Sequence, residues 1–476
     1  MRRNSVRAIV ACALLLTGCV SAAPVTFPRA SLDSSCIVAA PDTDLLLGVA
    51  LSGGGSRAAV FGAAALEALG KIRVPGGGSV LEQVGYLSSV SGGGLAAAYY
   101  AEHKPPRETP ILTPEGGYTD EYRAFFTRFN ERVAQNFESA IIWRQLGSFR
   151  WINSALAAQS LQEVLEERLL GETTLAALSA RQRRGDTPGL MFNTALYNDG
   201  RRLVMTTLPP DVAQYDLFAD LRRAAAGRGD TVEFVPLSQR MWEGLMPVTP
   251  LALHFDACSL RVATAVAASA SFPPVIGPIT FRVEGEATYW HSGDGSLYEN
   301  VGAETLYYVF LKKLQEKKAG RAIIFALDSG YPFSVAERVL GRRSLPFSIL
   351  TFDFTRIPGI MEQRANAYNH LFFRTLRLEG VIPDVNTLRI IYLNHTDAWW
   401  RDDLDDLPEA CRNEEAPIRT PTEVMERLAE IPTRFKIASE CDHQLLVTAA
   451  AKVVEQSREE IEAFLAGTPV PERTAR

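Results

Sequence analysis

The sequence predicts an α/β fold with a largely parallel central sheet, and three observations support this prediction. Short apolar segments of strand length alternate with segments of helix-forming composition along much of the 476-residue chain. Glycines stand at the junctions, where a buried strand must turn tightly into a helix. Apolar residues make up 47% of the chain and charged residues 22%, so the composition suits a globular protein with a sizeable core.

Two strand and helix pairs are predicted within the first hundred or so residues. Residues 45–51 form a short apolar run that ends in glycines, a pattern typical of a buried strand. Residues 58–69 have helix-forming composition and stop at Gly70, a typical helix end. The second pair consists of a strand over residues 86–90 and an Ala-rich helix over residues 95–102.

Later segments extend this pattern. Residues 190–197 and 202–208 flank an Asn-Asp-Gly sequence, which predicts a β-hairpin. Residues 322–327 have the composition of another buried strand. The C-terminal part, residues 341–476, is helix-rich, and a long helix is predicted from about Cys441 to Leu465.

Residues 103–189 interrupt the alternation and are mostly helical by composition. Within them, residues 118–151 hold nine aromatic side chains, from Tyr118 to Trp151. The favoured interpretation is a helical cap or insertion whose aromatic side chains fill its own core. The alternative is a lid or an interfacial face that touches lipid.

Residues 1–18 resemble the signal peptide of a bacterial lipoprotein. Three arginines precede an unbroken apolar stretch over residues 8–16, which is too short to span a bilayer. A Leu-Thr-Gly-Cys sequence ending at Cys19 follows and resembles the lipobox, at which the chain is cut before a cysteine that is then acylated. The alternative is a plain secretory signal cleaved near Ala22.

The lipobox resemblance implies a lipid-anchored protein of the cell envelope. Several acyl chains on Cys19 would hold the protein stably at a membrane surface, whereas a single chain would be marginal. Residues 19–44 contain three prolines among small and polar residues and would form a tether. The residue after the cysteine is Val20 rather than Asp, which in that family implies the outer membrane, facing the periplasm or the exterior.

Charge and hydropathy exclude other classes of function. The formal net charge is −6, so the chain has no global attraction to nucleic acid phosphates, and no nucleic acid partner is predicted. No apolar run reaches the roughly 20 residues that a membrane-spanning helix needs, so an integral membrane protein is not predicted.

Four cysteines lie beyond the lipobox, and an exported protein meets an oxidising compartment in which they can pair. Cys36, Cys258, Cys411 and Cys441 allow three pairings. A disulfide between Cys411 and Cys441 is favoured because it spans the shorter range and would tie down a C-terminal loop. No C-x-x-C sequence occurs, and the histidines show no metal-ligand spacing, so no metal cofactor is predicted.

The first chemical motif is a glycine-rich turn between a predicted strand and a predicted helix. Gly53, Gly54 and Gly55 are followed by Ser56 and Arg57. Consecutive glycines let the backbone turn sharply and leave several N–H groups near a helix N-terminus, where they can stabilise an anion. Tight packing alone or a nucleotide site are alternatives, but the spacing fits neither phosphate-loop motif.

The second motif centres on Ser91, which again lies at a predicted strand-to-helix junction. It stands in a Ser-Val-Ser-Gly-Gly-Gly sequence, with Ser89 and Gly93 in the flanking positions. A serine on such an elbow is held clear of the sheet with its hydroxyl exposed, and the crowded turn requires small neighbours. A flexible loop rich in serine and glycine is the alternative if the motif stands alone.

The third motif contains Asp294 and Gly295, with Asn300 shortly after them. Asp-Gly alone most often marks a turn. Together with the glycine loop and Ser91, however, it completes a pattern that resembles the patatin-like phospholipases. That family has a glycine-rich oxyanion loop ending in Arg or Lys, a G-x-S-x-G elbow and a later D-G-[GA]. An Ala-Ser-Ala-Ser-Phe-Pro-Pro sequence over residues 268–274 supports the resemblance.

The resemblance implies a patatin-like three-layer fold with a mostly parallel central sheet. The catalytic domain would span residues 45–340, with the helical insertion at 103–189 and a helix-rich extension at 341–476. The chain departs from the family pattern at Ser89, Ser296 and Val301, where Gly, Gly or Ala, and Pro are usual. None of these departures removes a reacting atom.

The resemblance also implies the chemistry. Ser91 would attack an ester carbonyl while Asp294 accepts its proton, and water would then release the acyl group. The N–H groups of Gly53, Gly54 and Gly55 would hold the oxyanion. Arg57 would support this loop or meet a phosphate headgroup, with a structural ion pair as the alternative. The implied substrates are phospholipids or lysophospholipids, cleaved without calcium or any other cofactor.

Two other functions remain open from the sequence. An α/β-hydrolase has the chain order Ser, Asp, His, and either His395 or His443 could complete such a triad. Against this, the glycine loop follows Leu-Ser instead of the usual His. A non-enzymatic lipoprotein that binds or carries lipid in the same pocket is the second alternative.

Overall fold

The computed structural model describes most of the chain between residues 24 and 468. The described residues are 24–30, 36–39, 42–148, 150, 154–228, 244, 246–273, 276–330, 364, 367, 371, 373–378, 380–415 and 417–468. The predicted signal peptide and residues 19–23, 31–35 and 40–41 of the predicted tether, Cys19 among them, lie outside the described residues. The described part of the predicted tether belongs to the fold, since residues 25–27 pair with the sheet and Cys36 is buried. The same is true of Phe149 and Trp151, two of the nine aromatic residues of the helical region.

Nine strands of the described residues form one sheet at the centre of the protein. The strands are β1 (Val25–Phe27), β2 (Leu45–Leu51), β3 (Val84–Val90), β4 (Gly189–Leu196), β5 (Arg202–Thr206), β6 (Ile279–Val283), β7 (Tyr289–Asp294), β8 (Arg321–Asp328) and β9 (Leu388–Asn394). They include the predicted strands over residues 45–51, 86–90 and 322–327.

The sheet is mostly parallel, as the sequence predicts. Its order is β1-β6-β7-β4-β3-β2-β8-β9, with β5 paired to β4. β2 lies between β3 and β8, and the run from β4 through β3, β2 and β8 to β9 is parallel throughout. The antiparallel pairs are β4 with β5, β4 with β7 and β6 with β7, and the first of them is the predicted hairpin.

Helices surround the sheet. They are α1 (Ser56–Gly70), α2 (Gly92–His103), α3 (Asp120–Val133), α4 (Phe137–Gly147), α5 (Ser154–Leu165), α6 (Leu175–Arg183), α7 (Leu217–Gly227), α8 (Val262–Ser269), α9 (Ala303–Gln315), α10 (Glu409–Arg412), α11 (Pro421–Glu430), α12 (Glu440–Gln456) and α13 (Arg458–Ala466). In the described part of the chain no helix is long and apolar enough to cross a membrane.

The sheet separates two apolar cores, which makes the architecture three-layered. Alternate residues of β2 point to opposite faces, so Val49 and Leu51 join one core while Leu46 and Ala50 join the other. The first core holds side chains of α1, α2 and α12, and the second holds side chains of α9. This arrangement confirms the predicted fold class.

In the helical region before β4, α3 and α4 differ in the exposure of their large apolar side chains. The four aromatic side chains of α3 are all buried: Tyr122, Phe125, Phe126 and Phe129. They pack with the aromatic residues of α2, so here the aromatic set fills a core. On α4, by contrast, Trp143 is 73% exposed and lies beside exposed Ile142 and Leu146.

The C-terminal residues are integral to the fold. β9 adds a parallel edge strand next to β8, and α12 packs against α1. The single long helix predicted from about Cys441 to Leu465 is wrong in one respect. It breaks at Ser457, whose N–H donates to the Val454 carbonyl three residues back, and a new helix begins at Arg458.

Two disulfides join the four described cysteines. One links Cys411 to Cys441, and the other links Cys36 to Cys258 across 222 residues of sequence. Cys36 and Cys258 also lie near Asp256, in the one group of potential metal ligands found among the described residues. The disulfide occupies both sulfur atoms, so this group lacks the thiolates that a metal would need.

Candidate active site

The candidate site lies at the carboxyl edge of the sheet, where neighbouring parallel strands end. β3 ends one residue before Ser91, and β2 ends just before the glycine loop. β8 ends beside them and leads directly into Ser329. The carboxyl edge is where open α/β sheets bind their ligands, because loops from adjacent strands converge there.

Ser91 adopts a strained backbone conformation between β3 and α2. Its φ of 49° and ψ of −123° are rare for a residue with a side chain and match a nucleophile elbow. The two following glycines are required by close packing. A Cβ atom on Gly92 would lie 2.0 Å from the Gly55 carbonyl oxygen, and one on Gly93 would lie 2.4 Å from that of Leu51.

Ser91 and Asp294 are in direct contact. The Ser91 hydroxyl donates to Asp294 Oδ2 over 2.9 Å, and both residues are buried. Asp294 ends β7, and its backbone N–H donates to the Ser271 carbonyl oxygen. Its second carboxylate oxygen accepts the Ser296 N–H over 2.9 Å. One oxygen therefore fixes the carboxylate, while the other faces the serine hydroxyl.

The environment makes Asp294 a stronger base than an exposed aspartate. Burial raises the pKa of its carboxyl from 3.8 to about 6, although hydrogen bonds from Ser296 and Ser91 partly oppose this rise. The carboxylate is therefore ionised at neutral pH, yet its pKa is much closer to neutrality than usual. A general base works best when its pKa lies near the working pH.

A short hydrogen-bond chain holds the elbow from inside the protein. The Ser91 N–H donates to Ser269 Oγ over 2.9 Å, and the Ser269 hydroxyl donates to the Asn193 carbonyl oxygen over 2.6 Å. The Asn193 amide in turn donates to Ser88 Oγ and to the Ser89 carbonyl oxygen.

Asn193 has no role in the pattern that predicts the site. A signal was present, since it is a polar residue within the apolar run that predicts the hairpin strand over residues 190–197. Ser269 lies in the Ala-Ser-Ala-Ser-Phe-Pro-Pro sequence that supports the family resemblance, but its contact with the elbow was not predicted.

The glycine loop lies against the elbow, since a Cβ atom on Gly53 would lie 3.2 Å from Ser91 Cβ. The Gly53 N–H donates to the Asn300 carbonyl oxygen over 2.8 Å. Because this N–H is already used within the protein, the prediction that Gly53 holds the oxyanion is wrong. The N–H groups of Gly54 and Gly55 have no acceptor among the described residues. Both glycines have positive φ values, 142° and 62°, which favour glycine over other residues.

Arg57 supports this loop from within. Its guanidinium is buried and donates to the carbonyl oxygens of Ser329 and Ile431 and to Thr433 Oγ1, over 3.0, 2.5 and 3.2 Å. Of the three roles that the sequence leaves open, these contacts favour support of the loop over a phosphate headgroup contact or an ion pair.

The two histidines of the alternative triad have described partners other than Ser91 and Asp294. His395 is fully buried against Phe61, and burial together with the nearby Arg57 charge lowers the pKa of its imidazole to about 3. His443 lies on α12 beside Glu440. Among the described residues, neither histidine hydrogen-bonds to the serine or the aspartate of the site.

A family profile points to the same family as the motifs. The profile of the patatin-like phospholipase family matches residues 49–307. No protein of curated function matches the chain significantly in sequence.

Solved structures of human GIVD cytosolic phospholipase A2 are similar at low sequence identity. One matches with a TM-score of 0.42 and 13% identity over 89% of this chain and 60% of that chain. Another, in complex with methyl gamma-linolenyl fluorophosphonate and terbium chloride, matches with a TM-score of 0.40 and 15% identity over 89% and 59%. The present chain thus covers about 60% of the length of these structures.

The family match spans more than half of the 476 residues and contains the glycine loop, Ser91 and Asp294. The chain therefore belongs to the patatin-like phospholipase family.

Proposed function

We propose that this protein is a serine acyl hydrolase that cleaves fatty acyl esters of phospholipids or lysophospholipids. The observation that carries the proposal is the 2.9 Å hydrogen bond from the Ser91 hydroxyl to Asp294, made on a strained elbow beside the N–H groups of Gly54 and Gly55. A nucleophile, a base and donors for an oxyanion are the three parts that acyl transfer requires.

The first half of the reaction forms an acyl-enzyme. Asp294 takes the hydroxyl proton as Ser91 Oγ attacks the ester carbonyl, and the carbonyl oxygen becomes an oxyanion held by the N–H groups of Gly54 and Gly55. The ester C–O bond then breaks, and the proton on Asp294 passes to the departing alcohol. Loss of one such oxyanion donor typically slows catalysis by about 10²–10³-fold.

The second half releases the fatty acid. Asp294 takes a proton from water as the water oxygen attacks the acyl carbonyl, and the second tetrahedral intermediate uses the same two N–H groups. Collapse of this intermediate returns the proton to Ser91 Oγ. General acid and base catalysis of this kind typically contributes about 10²–10⁴-fold.

The hydrolase test uses phosphatidylcholine and lysophosphatidylcholine in mixed micelles with a chelator present. We expect release of fatty acid by the wild type, and none above background by Ser91→Ala. His443→Ala is the matched control, because His443 belongs to the rival triad but lies outside the proposed dyad. Binding of lipid without turnover in the wild type would instead favour the non-enzymatic lipoprotein.

We propose further that Cys19 carries the membrane anchor and places the enzyme at the outer membrane. The support is the Leu-Thr-Gly-Cys sequence after a charged and apolar N-terminal segment. Mass spectrometry of the mature N-terminal peptide should find an acylated cysteine, and Cys19→Ala should move the protein into the soluble fraction. A mature chain beginning near residue 23 would indicate the plain secretory signal instead.

A further inference from the structure

Residues 431–435, here named the strap, lie directly against the glycine loop although they are far outside the family match at 49–307. The Arg434 carbonyl oxygen accepts the Ser56 N–H over 2.7 Å. Gly55 pairs with Arg434 in a short parallel bridge. A Cβ atom on Gly55 would lie only 2.3 Å from the same carbonyl oxygen, so the two backbones are in close contact.

Arg57 ties the strap to the loop a second time. Its Nη1 donates to the Ile431 carbonyl oxygen and its Nη2 to Thr433 Oγ1, while its Nε donates to the Ser329 carbonyl oxygen. Because Arg57 lies in the first turn of α1, the helix that follows the glycines, these bonds fix the exit of the loop relative to both the strap and β8.

The outer side of the strap is fixed to α4. The N–H groups of Phe137 and Glu138 both donate to the Phe435 carbonyl oxygen over 3.0 Å. The Arg434 guanidinium makes two bonds to the Glu138 carboxylate, over 2.9 and 2.6 Å. Paired bonds of this kind set orientation as well as distance, because the guanidinium and the carboxylate are both planar.

The ends of the strap are also fixed. α11 precedes it and α12 follows it, and α12 packs on α1, the helix that begins at the glycine loop. The disulfide between Cys411 and Cys441 closes the stretch of chain that contains the strap. The strap is thus held at both ends and along both sides.

We propose that the strap positions the oxyanion donors, with Arg434 and Glu138 as positioning residues, an inference that rests on the proposed hydrolase activity. Gly54 and Gly55 have no side chains that could lock their conformation. The direction of their N–H groups is therefore set by the groups that pack against them. These groups are Ser329 and Arg57 at Gly54, and the strap and the elbow at Gly55. Oxyanion donors act only if they point at the developing charge.

The test reverses the ion pair between α4 and the strap. We expect Glu138→Arg and Arg434→Glu each to lower kcat about 10-fold with KM unchanged, since a misplacement of about 1 Å can cost up to roughly 10²-fold. The labelling rate of Ser91 by a fluorophosphonate should fall in proportion. The double variant should recover most of both rates, although Lys436 also lies 3.8 Å from Glu138.

Two further variants separate positioning from general stability. Arg458→Glu breaks exposed ion pairs with Glu455 and Glu462 far along the C-terminal helices, and should leave kcat unchanged. Thr433→Val removes one acceptor from Arg57 without a change of charge, and should lower kcat by a smaller amount, about 3-fold.

The outcomes distinguish this inference from the proposed activity. A wild type with neither turnover nor labelling would overturn both. If the wild type is active, single variants that lose thermal stability but keep the wild-type kcat would overturn the strap proposal alone. A double variant no faster than the single variants would also overturn it, because the pair would then not act as a unit.

Discussion

The elbow and the glycine loop supply the two halves of the proposed site, but they are held in different ways. The elbow is fixed from inside by Ser269 and Asn193, which both belong to the family-matched residues. The glycine loop is fixed by Arg57 and by the strap, so its support extends into the C-terminal part of the chain. The nucleophile is thus held by residues within the family match, whereas the proposed oxyanion donors also depend on C-terminal residues outside it.

The largest expected effect tests the elbow side of the comparison. Ser91→Ala removes the attacking oxygen and should lower kcat by about 10⁴-fold or more. Because the backbone conformation at this position is strained, the variant needs a folding control. We expect its circular dichroism spectrum to match that of the wild type. Residual turnover within 10-fold of the wild type would place the nucleophile elsewhere.

The next effect concerns the base. Asp294→Asn keeps the shape of the side chain but cannot accept the Ser91 proton, so kcat should fall by about 10²–10⁴-fold. The measurement is the initial rate on the same micellar substrate with a fluorophosphonate labelling assay alongside. A variant that retains full activity would exclude the dyad.

A smaller effect is expected on the glycine-loop side. In Gly55→Ala the new methyl group would lie 2.3 Å from the Arg434 carbonyl oxygen at a φ of 62°, so the loop must shift. We expect kcat to fall by about 10²-fold, the typical cost of one oxyanion donor.

Gly76→Ala is the matched control for this change. Gly76 also has a positive φ, 94°, but its Cβ position is open. The control variant should carry backbone strain with no loss of kcat. Equal losses of kcat in both variants would show that strain, not the strap contact, is responsible.

The pH dependence tests the environment of Asp294. Its carboxyl has a pKa of about 6, so kcat/KM should fall about tenfold per pH unit below pH 6 as the base becomes protonated. The raised pKa also means that ionisation of Asp294 reduces stability as the pH rises from about 4 to about 6. Asp294→Asn should therefore remove this component of the stability profile.

A neighbouring carboxyl requires a control in the pH experiment. Burial raises the pKa of Glu299 to about 7, with Glu304 as a second cause. In Glu299→Gln the acid limb of the activity profile should stay near pH 6. If the acid limb of the activity profile shifts in Glu299→Gln, the ionisation that controls activity belongs to Glu299 and not to Asp294.

The smallest expected effect concerns His443, one of the two rival histidines. His443→Ala should change kcat by less than about 2-fold, since a residue outside the reacting groups removes no transition-state contact. His443 Nδ1 lies 3.7 Å from Glu440 on α12, and His443 is not among the described hydrogen-bond partners of Asp294. A loss as large as that of Asp294→Asn would restore the Ser-Asp-His triad.

The strand ends and the serine and aspartate of the site could be predicted from local sequence, because closely packed backbones require glycine at the points of contact. Gly92 is required by the approach of the Gly55 carbonyl oxygen and Gly93 by that of the Leu51 carbonyl oxygen. Gly295 is required by the approach of the Asn193 carbonyl oxygen. Spacing between such glycines therefore predicts the strand ends and the serine and aspartate beside them.

The supports of the site could not be predicted in this way. Arg57 and Ile431 are 374 residues apart in the chain, and the partner of Arg57 is a backbone carbonyl, which any residue carries. The hydrogen bond from the Gly53 N–H could not be predicted from the sequence either, since its acceptor is the backbone carbonyl oxygen of Asn300. The helix break at Ser457 also leaves no glycine or proline signal.

The most direct test of the central claim is covalent labelling of the full chain in detergent micelles with a fluorophosphonate, followed by peptide mass spectrometry. We predict a single adduct on Ser91 in the wild type and none in Ser91→Ala. No adduct on a folded wild-type protein, or an adduct that persists in Ser91→Ala, would contradict the proposal that Ser91 is the activated nucleophile.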